Sequence, residues 1–437
     1  MLATGRFPGL VAGQTVRCPY VPVTLGLIKG VIVAATAIAI PRDNEGEWEM
    51  DAVAERLIID TDAHIVEPAD LWTSRISTRK YGDNILHVKH HERKKLDYWY
   101  IGDKPVFSAW GTANWGWKGG NISIPPTLED IHPATWDASA RLRAMDESGV
   151  RVAVLYANLG AVLMGMFARM GSPELMVESV QAYNDWLIDW ISVDKNRFIP
   201  MACLPLWDIE ACVKEIHRAA KIGHKGLTMS CAPQEHGWPF LGDRAWDPVW
   251  EAARDVGLPI SFHAGGGDVA DDFMNPHRFK IDGLEGNYVR SAATAFMKTG
   301  IQMCDLLVSG VPARYPELRF AIVESGLGHI PFCLETLDYH FKIARMDKAR
   351  PEFKKLPSEY FRDQIIVNYW FEKFEPMYLE RVGVDNIAFE TDFPHTTCLH
   401  GDQVRAAINN GLSDQPQEVQ EKILFRNAAK FYNLSLD

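Results

Sequence analysis

Leu57 to Pro68, LIIDTDAHIVEP, is where the architecture becomes legible. An apolar run of β-type residues ends in an Asp-x-His pair, and a Glu-Pro then stops the strand. Alternate side chains of a β-strand share a face, so Asp62 and His64 converge as a carboxylate and an imidazole within reach of one ion. Two further apolar runs end in the same way. LPISFHAGGG puts His263 at a strand end before a glycine run, and NIAFETDFPH puts Asp392 before a proline turn. Four candidate ligands on three strand ends imply a metal centre assembled from distant parts of the chain.

Working outward from there, β-type runs alternate with helical patterns from Arg56 onward. Eight strands are expected, at Leu57 to Thr61, Val152 to Tyr156, Phe198 to Leu204, Gly226 to Met229, Pro259 to His263, Arg319 to Glu324, Ile365 to Asn368 and Asn386 to Glu390. The intervening segments, such as DASARLRAMDESG, DIEACVKEIHRAAKIG and DPVWEAARDVG, open on Asp and close on Gly, as capped helices do. Eightfold strand-helix alternation predicts an α/β fold, a parallel (β/α)8 TIM-type barrel. A doubly wound open sheet is the competing architecture, but no Gly-rich phosphate loop follows the first strand. In a barrel the active site lies at the C-terminal ends of the strands. Asp62, His64, His263, Glu324 and Asp392 all fall there.

The segment Thr73 to Trp136 lacks clear periodicity and is rich in aromatics, among them Tyr98, Trp99, Tyr100, Phe107, Trp110, Trp115 and Trp117. A loop this long and this aromatic is read as an insertion over the mouth of the barrel, a lid for an apolar or aromatic substrate. A packed subdomain or dimer surface is the competing reading. His90 and His91, within VKHHERKK, read as a solvated charged patch. Residues 1–49 are expected to lie outside the fold, as a disordered extension or a mis-called start, and residues 50–437 to form the barrel. The apolar run Tyr20 to Ile40 also admits a targeting peptide or an anchor, although Pro22 and Lys29 interrupt it.

Composition narrows the class of partner. The chain of 437 residues is 47% hydrophobic, with 57 Asp plus Glu against 45 Lys plus Arg, giving a net charge of −12. No basic cluster supports binding to nucleic acid or an anionic membrane, so a small-molecule substrate is expected. The seven cysteines (Cys18, Cys203, Cys212, Cys231, Cys304, Cys333, Cys398) are odd in number and scattered without a CxxC, which points to reduced thiols and a cytoplasmic protein.

Taken together, DTDAHIVEPADLW, SFHAGGG, LRFAIVESGLGHIPFCLETLD and ETDFPH resemble the amidohydrolase superfamily. The resemblance is to the amidohydrolase-related branch that includes aminocarboxymuconate semialdehyde decarboxylase and the hydroxybenzoate decarboxylases, and it spans nearly all of Arg56 to Leu434. It implies one divalent metal, zinc or manganese, held by Asp62, His64, His263 and Asp392. It also implies a residue at the end of strand 6 that exchanges protons near the metal. Relatives carry a His there, whereas this chain has Glu324, which could carry the proton itself or serve as a further ligand.

The expected activity is therefore metal-dependent, non-oxidative decarboxylation of a small aromatic or enoic acid, with Glu324 and Asp392 as catalytic residues. Hydrolysis of an amide or lactone uses the same ligands. A dinuclear iron oxygenase, with two ions and Glu324 as a ligand, and a metal-binding non-catalytic subunit paired with a paralogue are further alternatives. A homodimer or a heterodimer with a paralogue is expected. His329 and His395 are read as a helix opener and a turn residue.

Overall fold

The computed structural model describes residues 57–435 apart from 120–122, 159–166, 168–169, 231 and 265–275, together with short segments at 17–18, 21–22, 25–28 and 31–34. Eight strands form one parallel sheet in chain order: β1 (Ile58–Ile65), β2 (Val150–Ala157), β3 (Phe198–Ala202), β4 (Gly226–Met229), β5 (Ile260–His263), β6 (Phe320–Val323), β7 (Ile365–Tyr369) and β8 (Ile387–Phe389). The expected (β/α)8 barrel is observed. Each expected strand is present, most with ends moved by a few residues.

The largest difference is in β1, which runs on to Ile65 instead of ending at Thr61. Its ladder with β2 breaks between Asp60 and Ala63 and resumes as Ala63 opposite Leu155 and His64 opposite Tyr156. That irregularity re-aims the carboxylates on either side of it, as bulges near active sites do.

The strands are apolar on both faces because both are covered. On β2, Val154 and Tyr156 belong to an inner cluster with Ile59, Ile199, Met201, Ala321, Val323 and Ala388, whereas Leu155 belongs to the outer cluster under the helices. On β6, Ala321 and Val323 face inward and Phe320 and Ile322 outward. The C-terminal helix Asn427–Phe431 adds Ala428, Ala429 and Phe431 to the inner cluster.

The longest described helices between strands are α1 (Ala138–Glu147), α2 (Pro173–Trp190), α3 (Ile209–Ile222), α4 (Asp247–Val256), α5 (Pro276–Ser309) and α6 (Ile330–Ile343). Asp137, Ser172 and Asp208 cap the first three by accepting from backbone amides, each cap contributing about 1 kcal/mol. Gly223 and Gly257 close α3 and α4 at φ 114° and 70°, a conformation that penalises a side chain. Helix α5 is broken at Gly283.

β1 and β8 complete the barrel without a continuous ladder. One bridge joins Ala63 to Phe393. Around it, the His64 amide donates to Phe393 O (2.7 Å), the Asp392 amide to Asp62 O (2.9 Å) and Thr61 Oγ1 to Phe389 O (2.8 Å). The closing contacts of the fold therefore lie on the residues expected to bind metal.

After β1, where the sequence shows no periodicity, the chain forms two short helices and an antiparallel sheet of His87–His91, Leu96–Ile101 and Lys104–Ser108. Charged residues dominate its exposed face, which conceals the alternation. Trp72, Trp99 and Trp110 are fully buried, with Trp99 edge-on to both others. His90 is an exposed partner of Asp97.

The segment Met1–Ala52 forms a separate unit. Within it Leu25–Ile28 pairs antiparallel with Val31–Ala34, and Arg17–Cys18 with Val21–Pro22. The rest of the Tyr20 to Ile40 run lies outside the described residues. No described helix is long and apolar enough to cross a membrane.

Candidate metal centre

The strand ends bring four of the five expected site residues into contact. His263 Nε2 lies 3.2 Å from Asp62 Oδ1 and 3.0 Å from His64 Nε2. His64 Nε2 lies 3.3 Å from Asp62 Oδ1 and 3.5 Å from Asp392 Oδ1. All four side chains are buried. The atoms of Asp62, His64 and His263 lie close enough together to hold one ion.

The hydrogen bonds behind these atoms fix what they offer. His64 Nδ1 faces Ala157 O at 2.8 Å and His263 Nδ1 faces Ala264 O at 2.8 Å. A carbonyl oxygen can only accept, so each Nδ1 carries a proton, and each ring, when neutral, presents the Nε2 lone pair to the centre. Two lone pairs and a carboxylate oxygen within about 3.5 Å repel unless a cation lies among them. Asp62 Oδ2 is buried and has no hydrogen-bond partner, a second sign that the donor set suits a divalent ion.

Charge at the centre behaves accordingly. Burial pushes Asp62 upward, but His263 and His64 beside it hold its carboxyl well below the usual carboxylate range. Burial lowers His263, and the Asp62 carboxylate outweighs that and raises it to about 10. A proton on His263 and a metal cation thus compete for the same lone pair.

The fifth residue, Glu324, stands apart from this group. Its Oε2 lies 3.8 Å from His263 Nδ1. It follows β6 in a left-handed conformation (φ 56°), as Asp392 does after β8 (φ 57°), and both are conformations that bulky L-residues adopt at a cost. Burial, reinforced by Asp392, pushes Glu324 up to about 8.

His395, read as a turn residue, is drawn in further than the sequence suggests. It stacks on the His64 ring at 3.9 Å, and its Nδ1 lies 2.7 Å from Asp392 Oδ1. His64, Asp392 and His395 form a second group able to hold an ion. His329 lies at the N-cap of α6, as expected of a helix opener, away from the centre.

Four supporting residues went unread in the sequence. Asp60 accepts from the Thr391 amide (2.8 Å), Thr391 Oγ1 (2.5 Å) and the Asp62 amide (3.2 Å), so it clips β1 to the loop that carries Asp392. Burial pushes Asp60 up to about 8, against those three hydrogen bonds. The buried Arg141 of α1 donates to His64 O (2.7 Å) and Ala134 O (2.6 Å) and packs over the Phe393 ring. On the opposite rim, Glu390 Oε2 accepts from Asn368 Nδ2 (2.5 Å) and from the Glu324 amide (3.1 Å). Strand alternation was the available signal for Asp60, which shares its parity with Asp62 and His64. Asn368 and Glu390 close two of the expected strands, a signal left unused, and for Arg141 the sequence offers none.

A parallel eight-stranded barrel with an Asp-x-His on its first strand, a His on the fifth and an Asp after the eighth is the architecture of a metal-dependent amidohydrolase. The chain belongs to that family, whose model, described as amidohydrolase, matches residues 59–434. Among curated proteins it is similar to the gamma-resorcylate decarboxylase of Polaromonas sp. (strain JS666), with 25% identity over 271 residues, 60% of this chain and 78% of that protein. It is also similar to the 2-amino-3-carboxymuconate-6-semialdehyde decarboxylase of Dictyostelium discoideum, with 20% identity over 317 residues, 70% of this chain and 79% of that one. Among solved structures, 5-carboxyvanillate decarboxylase from Novosphingobium aromaticivorans DSM 12444, complexed with manganese and 4-hydroxy-3-methoxy-5-nitrobenzoic acid, superposes with a TM-score of 0.60 at 20% identity. That superposition covers 87% of this chain and 97% of that one and shows a shared fold.

Proposed function

We propose that the chain is a metal-dependent carboxy-lyase that removes CO2, without oxidation, from a small aromatic or enoic carboxylic acid. The observation that carries the reading is the pairing of the Asp62, His64 and His263 donor group with a proton-bearing carboxyl, Glu324, on the neighbouring strand end. The names of the similar decarboxylases agree with it.

Asp62, His64, His263 and Asp392 would hold the ion, for which manganese or zinc suits two imidazoles and two carboxylates. When bound, it supplies Lewis-acid polarisation of substrate oxygens, worth several kcal/mol. Glu324, kept protonated by burial, delivers its proton to the carbon that loses CO2. The C–C bond breaks, its electron pair takes the proton, and the product is the decarboxylated acid. Asp60 and Arg141 hold the backbone of the ligand strands, and Asp392 lies between His64 and His395. The insertion at 73–136, with Trp115 against Phe393 and His400, screens this side of the mouth.

The test is CO2 release from a panel of hydroxybenzoic and enoic acids by manganese-loaded and zinc-loaded protein. Turnover that disappears in Glu324→Gln at full metal content supports the reading. Hydrolysis of amides or lactones with no CO2 from any acid would move the chain to the hydrolase alternative. The second donor group, His64 with Asp392 and His395, favours one other reading, a two-ion centre. Two ions per chain on elemental analysis, with iron among them and a requirement for O2, would establish it. The same proposal extends to a reduced, cytoplasmic compartment and to a dimer of this chain or with a paralogue, tested by fractionation and sedimentation.

A further inference from the structure

The helices that follow β5 and β6 carry a pair of thiols for which the decarboxylase reading has no use. Cys304 lies in the C-terminal half of α5 and Cys333 near the start of α6. The two helices approach closely at Gly300, one turn before Cys304. A Cβ there would stand 2.4 Å from His329 Cδ2 and 3.5 Å from Cys333 Sγ. Cys304, one turn along the same helix face, is thereby placed beside Cys333, and both residues are partly exposed. Ile301 and Phe332, close to them in sequence, are 63% and 71% exposed, so small molecules reach this face from solvent.

The other described free thiols differ. Cys203, Cys212 and Cys398 are buried, and burial pushes each well above the ordinary thiol range. At the pair, the neighbouring Cys304 lowers Cys333 to about 7 against its partial burial, and Cys304 is itself pushed up. The first turn of a helix also favours a thiolate there.

We propose that Cys304 and Cys333 form a thiol-disulfide exchange site whose co-reactant is a small-molecule disulfide. The Cys333 thiolate attacks one sulfur of that disulfide, forming a mixed disulfide and expelling one thiolate. Cys304 then gives its proton to solvent and attacks the Cys333 sulfur, expelling the second thiolate. Two protein thiols are oxidised to one disulfide and the small disulfide is reduced to two thiols. The product is a covalent tie between the helices that follow the strand ends bearing His263 and Glu324.

The experiment is peptide mapping without reduction after titration of the full-length reduced protein with oxidised glutathione. The expected result is one cross-link, Cys304 to Cys333, reversed by dithiothreitol, with Cys203, Cys212 and Cys398 unmodified. In Cys304→Ser a glutathione adduct on Cys333 should persist, and in Cys333→Ser neither adduct nor cross-link should form. Iodoacetamide alkylation of Cys333 should show a midpoint near pH 7 that moves upward in Cys304→Ser. The proposal fails if oxidation modifies other cysteines first, or if Cys333 in the folded wild-type protein is alkylated no faster than Cys203. The wild-type map decides the matter even if a variant folds poorly.

Discussion

On the β1–β8 side of the barrel mouth, the ligand-bearing segments are tied from behind. Asp60 accepts three hydrogen bonds that join Asp62 to Thr391, Arg141 holds His64 O, and two backbone hydrogen bonds link Asp62 and His64 to Asp392 and Phe393. Toward β6 and β7, the acidic residues that follow β6 and β8 are differently supported. Glu390 holds the Glu324 amide and Asn368, and its Oε1 is buried without a hydrogen-bond partner. Asp62 is kept charged by two imidazoles, whereas Glu324 and Glu390 are raised by burial and by the acids near them. Similar residue types serve different ends: Asp62 on the first side holds charge, whereas Glu324 and Glu390 on the second retain protons.

The sharpest way to break this contrast is to remove a ligand from the first side. His64→Ala and His263→Ala should each lower metal affinity by more than ~100-fold, beyond what loss of a supporting residue costs, and abolish turnover. Full metal content in both variants on elemental analysis would remove the centre from this side altogether.

On the proton side, Glu324→Gln should lower kcat by ~10²- to 10⁴-fold, the usual contribution of a general acid, while metal content stays unchanged. A fall in bound metal of the same size would make Glu324 a ligand and erase the distinction between the two sides.

Asp60→Asn tests whether the backing matters, since it keeps the shape of the side chain and turns one accepting oxygen into an amide donor. Manganese affinity, measured by titration calorimetry, should weaken by about 10- to 100-fold. An unchanged affinity would mean that the ligands hold their places without the Asp60 clip. A comparable effect is expected in the fully native chain. Manganese at about 100 times its dissociation constant should add about 2.7 kcal/mol to the unfolding free energy, read from urea titration. No gain would show that the ion does not favour the folded state.

How much of this the sequence disclosed follows from distance along the chain. Strand ends are local signals, so all eight strands and Asp62, His64, His263 and Asp392 could be read from runs of about ten residues each. The contacts between strand ends are not local. Asp60 meets Thr391 across a separation of 331 residues, and Asn368 meets Glu390 across 22. His395 was readable as part of a proline turn, but its stacking on His64 depends on how β8 meets β1. The small antiparallel sheet that begins at His87 and ends at Ser108 stayed hidden because its charged outer face interrupts the apolar alternation.

The seam between β1 and β8 also bears on the order in which the protein can mature. Both the last closure of the barrel and the ligand set wait for Thr391 and Asp392, near the end of the chain, to reach a strand made at its beginning. During synthesis the N-terminal strands emerge first, and β1 remains an open edge until residue 389 has left the ribosome. An ion held by Asp62, His64, His263 and Asp392 would fasten the first strand to the last and so couple metal capture to completion of the fold.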